Sequence, residues 1–484
     1  MLNGGHMQQF IRHSTTLLLA MVLSASCTVH TPERITLPAP IPGSFIGKPH
    51  DAGLLPSSER WWEVFKDEHL NRLMARAFAG NLDLDQAFAR LKQFEALARQ
   101  SNASRLPFID VEVNAARSRQ LRAMGAETGN TYELSMAAGF EVDLWNKLKS
   151  RTRARQLETE AYLEDIRSLY FTISAQVADL YYLMVEQRSQ LDLTDRTIEA
   201  REATLELVKR RYLEGIVPAL DVYQSRQILA AARARRPELE ATLAEAAHAL
   251  SILIGDYPDR NVGDDLAVIP EVAAAFPAGL PSELLTRRPD IRAELLRLKA
   301  DDQEIGAAIA DRFPSINLLA DYGRVGSDFG NSLSATVWSL IGNMALPLLD
   351  WGNRKAEVKR TRGVFEEQLG RYQQTVLIAF REVEDALVNN RTTEETIRRL
   401  KDEEAAAGDS LRLAMDRYLD GLSDYLPVLT AQALHFDAQS RLLLALRQLL
   451  SDRISLARAI GGSWMDPDIE KRLSKHIKGV GYAS

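Results

Sequence analysis

Two residue types in this chain could do covalent or metal chemistry, and their spacing decides how far that goes. The single cysteine, Cys27, follows directly on Leu23-Ser24-Ala25-Ser26. With no second thiol it has no disulfide partner, and no metal-ligand companions stand near it, so lipidation of its sulfur is the chemistry its position fits. The eight histidines (6, 13, 30, 50, 69, 248, 435 and 476) show no metal-ligand spacing. No glycine-rich phosphate loop opens a helix, and no nucleophile motif occurs. Gly323-Arg-Val-Gly326 reads as the loop between two strands, and His248 and His435 read as packing or solvated residues on helices. We therefore expect no enzyme, no cofactor and no metal site.

Cys27 takes its meaning from what precedes it. Arg12 supplies a positive charge and Thr15 to Leu23 a short apolar run, which together read as a signal peptide over 1–26. The junction resembles a bacterial lipobox, with Leu23 four residues before the cysteine where the box usually has its large apolar residue three before. Met7 serves as a start as well as Met1. Residues 27–60 then read as a lipidated, extended tether, with prolines at 32, 38, 40, 42, 49 and 56. Beyond it no stretch approaches the roughly 20 apolar residues of a spanning helix, so a membrane crossing has to be a closed β-barrel. The net charge of -7 argues against nucleic acid as a partner.

One long period organises the rest. Arg211-Tyr-Leu-Glu-Gly215 recurs as Arg417-Tyr-Leu-Asp-Gly421, Trp145 as Trp351, Leu220 and Val222 as Leu426 and Val428, and Ile254-Gly255 as Ile460-Gly461. Each pair is 206 residues apart, and Arg105-Leu-Pro-Phe-Ile109 matches Arg312-Phe-Pro-Ser-Ile316 at 207. The chain is a duplication. The first repeat is placed at 61–257, with strands at about 107–143 and a helical hairpin at 147–254 that turns near 215. A proline-rich linker follows at 258–289. The second repeat is placed at 290–464, with strands at about 314–348 and a tip near 421, and 465–484 reads as a flexible tail.

The elements follow from periodicity. Tyr132 to Val142 alternates apolar and polar, as do Phe108 to Ala115 and Ile316 to Tyr322, the period of a strand with two unlike faces. From Lys147 to Glu214 there is no glycine or proline, which as one helix spans roughly 100 Å. Met184, Leu191, Ile198, Leu205 and Tyr212 recur every seven residues, a seam that asks for coiled-coil packing. The return leg from Leu220 to Leu253 has Pro237 as its one interruption. Two strands per copy make four per chain, and bacterial transmembrane barrels begin at eight. Either the sheet lies outside the membrane or several chains pool their strands.

The stretch Pro281-Ser-Glu-Leu-Leu-Thr-Arg-Arg-Pro-Asp-Ile291 after Leu280, followed by Glu294, Ala300, Ile305, Gly306 and Phe313-Pro314, resembles the start of the second repeat in TolC-like outer-membrane efflux proteins of the OprM/NodT lipoprotein branch. The resemblance runs from about Trp61 to Trp464. It implies a mainly α fold with β: a homotrimer whose chains pool four strands each into a twelve-strand barrel, continued by a helical barrel and an equatorial belt. It implies a passive exit duct of a tripartite pump for drugs and other toxic small molecules. The duct would be lipid-anchored at Cys27, inserted in the outer membrane and extended into the periplasm. Its partners would be its own copies, outer-membrane lipid, a periplasmic adaptor (membrane fusion) protein and an inner-membrane RND-type transporter.

In such channels the helical tips dock the adaptor and close the pore, which assigns Arg211, Tyr212, Gly215, Arg417, Tyr418 and Gly421 to docking. The resemblance assigns Asp221, Tyr418, Asp424 and Leu426 to the gate, with Asp221 and Tyr418 at the positions of an inter-coil hydrogen bond. Thr430 stands where a carboxylate ring is usual, leaving Asp424 as the nearby substitute, and Ser423 replaces an arginine that makes a salt link. Trp145 and Trp351 read as core or belt residues. The rival reading is a periplasmic coiled-coil scaffold lipoprotein that keeps the helices and has no pore.

Overall fold

Four strands pair in chain order into one antiparallel sheet: β1 (Phe108–Arg122), β2 (Gly125–Val142), β3 (Ser315–Gly326) and β4 (Ala335–Ala345). The structure, a computed structural model, describes residues 29–46, 59–122, 125–260, 281–327 and 335–480, with positions 262, 269 and 279. The signal segment, Cys27, Leu280 and most of the expected linker lie outside the described residues. The register puts Val111, Met136, Tyr322 and Trp338 in one row and Asp110, Ala137, Asp321 and Ser339 in the next. Because successive side chains point to opposite faces, these rows separate an apolar face from a polar one. On the apolar side Trp338 is 74% and Leu340 75% exposed. Gly323 to Gly326, expected as a loop, lies inside β3. Gly323 pairs with Ser135 on one side and Val337 on the other, and a Cβ there would come within 2.9 Å of the Ser135 Cβ. That close approach is what the glycine permits.

Three pairs of helices reproduce the duplication in their lengths. The helices are α1 (Glu68–Gly80), α2 (Leu82–Ala103), α3 (Lys147–Leu213), α4 (Ala219–Leu253), α5 (Pro289–Ala310), α6 (Asn353–Leu419), α7 (Leu426–Ile460) and α8 (Asp466–Val480). α3 and α6 have 67 residues each, α4 and α7 have 35, and α2 and α5 have 22. The helical stretch from Glu68 to Ala103 is broken at Asn81. Its side chain accepts from the backbone of Asp83 and Leu84 and donates to the Leu253 carbonyl. In the return leg, α4 continues through Pro237 instead of stopping there. The residue is exposed, so the missing N–H costs a bond that solvent partly replaces at the Arg233 carbonyl. Among the described residues no helix is long and apolar enough to cross a membrane.

Contacts divide the chain into two compact units. The first holds the described residues up to Pro38, Arg90–Leu163 and Ala293–Gln373, and contains the sheet. In it part of the expected extended tether lies against α5: the His30 ring lies 2.8 Å from Asp302, and the Glu33 N–H donates to the same carboxylate. The second unit holds Ala39–Ala89, Glu164–Arg292 and Gln374–Ser484.

The second unit's core is aromatic. Trp464 meets Trp62 edge-on at 4.6 Å and lies within 6.1 Å of Phe78, Tyr170 and Phe171. The expected flexible tail is therefore wrong for most of its length. Residues 466–480 form α8, and Trp464, Met465 and Ile469 are buried. Arg472 on α8 holds Asp85 at 2.7 Å. The block that carried the family resemblance also has a structural role. Arg288 is buried and binds Asp290 at 2.6 Å, Glu382 at 2.7 Å and the Ala459 carbonyl at 3.1 Å.

Candidate functional site

Both long helices end in the same backbone device. In α3 the Gly215 N–H donates to the Tyr212 carbonyl at 3.0 Å and the Ile216 N–H to Arg211 at 2.9 Å. In α6 the Gly421 N–H donates to Tyr418 at 3.1 Å and the Leu422 N–H to Arg417 at 2.9 Å. These are Schellman closures, and each needs a left-handed residue: both glycines sit at φ 74. The paired Arg-Tyr of each copy thus occupies the two carbonyl positions that the turn consumes.

Behind the turns a small core forms from Leu205, Val208, Val222, Leu229, Tyr418, Tyr425 and Val428. Tyr418 and Tyr425 lie 5.2 Å apart, and the Arg211 guanidinium sits 4.9 Å over the Tyr418 ring while donating to the Leu419 carbonyl. Arg201 is buried beside this core, donates to the Ile228 carbonyl at 2.7 Å, and has its guanidinium pKa lowered by burial. Asp221, in the first turn of α4, is 8% exposed.

The structure brings Asp221 and Tyr418 to one place but does not bond them. The Tyr418 hydroxyl is buried without a hydrogen-bond partner, so the expected inter-coil bond is absent here. Burial, and after it the Asp221 charge, pushes the Tyr418 hydroxyl pKa upward. Asp424 is exposed but near enough to act on Asp221 electrostatically. Leu426, Tyr212 and Arg417 are exposed and stand outside the buried cluster. Thr430 turns back to the Leu426 carbonyl at 3.0 Å. Trp145 stacks on Phe313 at 4.9 Å and donates to the Pro314 carbonyl, whereas its counterpart Trp351 is 90% exposed. Sequence reasoning missed Tyr425 and Arg201. Tyr425 stands 206 residues after Ala219, so the repeat offered no aromatic pair to flag it.

Burial, and secondarily Asp424, raises the Asp221 carboxyl pKa. A carboxyl with a higher pKa folded than unfolded makes the folded form bind the extra proton, so the packed tip gains stability as pH falls through that raised value. Above it the full cost of holding the ionised group is present. Asp221→Asn, similar in shape and uncharged, should make the tip more resistant to cleavage between Leu213 and Leu220 at neutral pH and should flatten its pH dependence. Limited proteolysis across the acidic range reads this, and an unchanged pH profile would discard the argument.

Among the described residues no group of histidine, cysteine and carboxylates could hold a metal. The outer membrane efflux protein family model matches residues 73–256 and 280–462. The chain is 30% identical, over 93% of its length and 96% of the relative's, to the probable efflux pump outer membrane protein TtgC of Pseudomonas putida. It is 31% identical, over 86% of its length and 87% of the relative's, to the antibiotic efflux pump outer membrane protein ArpC of Pseudomonas putida. Among solved structures it resembles the outer-membrane channel OprN, with a TM-score of 0.85 and 27% identity over 90% of this chain and 100% of that one. The fold is TolC-like, and the chain belongs to the outer membrane efflux protein family: it is the outer-membrane channel component of an efflux pump and not an enzyme.

Proposed function

We propose that three copies of this chain form a passive exit duct, with twelve pooled strands as the barrel and the Gly215 and Gly421 turns as periplasmic tips. The observation that carries this is the open sheet. Among the described residues β1 and β4 each have one unpaired edge, and the face that carries Val111, Met136, Tyr322, Trp338 and Leu340 holds an exposed apolar band. Four strands with free edges are unstable in lipid unless the edges find partners. At 11 to 18 residues the strands are long enough to cross a bilayer at a tilt.

On this reading the apolar face meets lipid and the polar face lines the pore. The tips dock a periplasmic adaptor and an inner-membrane RND-type transporter through Arg211, Tyr212, Arg417 and Tyr418, and the gate is set by Asp221, Tyr418, Asp424 and Leu426. Cys27 carries the lipid anchor after removal of residues 1–26. The cargo is small toxic organic molecules, a class supported by the antibiotic efflux for which the relative ArpC is named.

Single-channel recording of the purified protein in a bilayer, with heat-modifiable migration on gels, tests the duct. Absence of conductance even in Asp221→Ala with Tyr418→Phe would favour the scaffold reading. The polar face also predicts selectivity, because Asp110, Glu112, Glu133 and Asp321 share it with no cation in their rows. The open pore should prefer cations, and Asp110→Asn with Asp321→Asn should move the reversal potential in a salt gradient toward zero.

A further inference from the structure

Both long helices begin against their own dipole. The first turns of α3 and α6 hold no acidic residue. Instead Lys147, Lys149, Arg151, Arg153 and Arg155 open α3, and Arg354, Lys355, Lys359, Arg360 and Arg362 open α6. A helix N-terminus carries partial positive charge and favours anions. Some of these cations are answered within the chain: Lys147 by Glu141 at 2.5 Å, Arg354 by Asp311 at 3.4 Å and Arg360 by Glu357 at 2.7 Å. Arg312, Lys355 and Lys359 are exposed and make no ion pair among the described residues, and Arg362 reaches Glu33 at 3.5 Å. With Gly352 these four cations line a groove of about 500 Å³.

The groove's neighbours say what kind of anion suits it. Just before Gly352 stand Leu348, Leu349 and Trp351, at 87%, 73% and 90% exposure. They continue from β4, whose apolar face is exposed. Apolar surface, then an exposed tryptophan, then cations is the order expected across a membrane boundary. The duplication supplies a second, separate observation. Arg105, Lys149 and Arg153 stand 207, 206 and 206 residues before Arg312, Lys355 and Lys359, so both halves carry the same three cations at matching positions of the repeat. Gln156 replaces Arg362, and Arg153 is answered by Glu160 at 3.0 Å, which makes the second copy the stronger site.

We propose that the Arg312, Lys355, Lys359 and Arg362 groove binds the phosphodiester head group of an anionic phospholipid in the periplasmic leaflet of the outer membrane. The two lysines supply point charges and Arg362 a planar fork for the phosphate oxygens, while Leu348, Leu349 and Trp351 lie against the acyl chains. A free phosphate would use the cations and leave that apolar strip bare. The inference rests on the reading that the sheet lies in the membrane.

The test uses the full chain in phosphatidylcholine vesicles doped with spin-labelled phosphatidylglycerol or spin-labelled phosphatidylcholine. The wild type should hold phosphatidylglycerol in the motionally restricted shell roughly fivefold over phosphatidylcholine, as basic residues at an anionic surface do. Lys355→Gln with Lys359→Gln and Arg362→Gln should bring that ratio toward one, and Lys355→Arg with Lys359→Arg should keep it. Equal preference in the wild type and the glutamine variant would overturn the site. So would full competition by inorganic phosphate, which would mark a free-anion groove, or loss of the trimer in the glutamine variant, which would mark a contact between copies. Conductance of the same vesicles separates the two failures: a conducting wild type without lipid preference loses only this site, and a silent wild type loses the barrel.

Discussion

Gly421→Pro should abolish pump-dependent efflux while the protein still reaches the outer membrane as a trimer. Proline cannot take φ 74, and it lacks the N–H that Gly421 donates to the Tyr418 carbonyl. The Schellman closure of α6 is then lost outright, and Leu422 no longer returns to Arg417. Gly215→Val tests the first tip more gently, since it keeps the N–H. A left-handed conformation costs an ordinary L-residue roughly 1–2 kcal/mol, and a β-branched one is worse placed still. Nothing lies within 4 Å of a Cβ built at either glycine, so the strain is conformational and not a clash. The effect should therefore stay at the tip. Drug susceptibility of cells carrying each variant, set beside heat-modifiable migration, checks this. A trimer lost along with efflux would show that these turns hold the assembly together and are not docking tips.

Much of this architecture was written in local pattern. Alternation in Tyr132 to Val142 placed β2, and the glycine-free, proline-free run from Lys147 placed α3. α6 was harder, because Gly363, Gly370 and Gly408 interrupt it. It was legible only as the second copy of α3, and its equal length of 67 residues shows that packing along a long seam outweighs three weak helix positions. The tip turns were readable for the same reason, since Arg-Tyr-Leu-x-Gly occurs twice. What could not be read was where the copies differ. Tyr425 faces no counterpart, and the buried position of Asp221 corresponds to Pro427. Whether Asp221 and Tyr418 are bonded or only adjacent depends on side-chain placement that no spacing encodes.

Trp464→Ala should lower the thermal stability of the assembled protein more than any other single truncation near the C-terminus. From sequence, residues 465–484 read as a flexible tail. Yet Asp466-Pro467 is a helix start, and Ile469 and Leu473 are four residues apart, one face of an amphipathic helix. Trp464 is buried just ahead of that helix. Its ring touches Trp62, Phe78, Tyr170 and Phe171, which come from three separate stretches of the chain, and its indole N–H finds no acceptor. Its contribution is thus packing alone, and replacing such a buried ring by alanine costs about 3–5 kcal/mol. Arg472→Ala, which removes the link to Asp85 and the stacking over Phe88 at 5.4 Å, should cost less, because Asp85 remains solvated. The comparison is read from the temperature at which trimer gives way to monomer on gels. If Trp464→Ala melts at the wild-type temperature, α8 is an appendage. If it melts far below, the C-terminal residues belong to the core of the second unit, and a channel truncated at Gly462 should be degraded before it reaches the membrane.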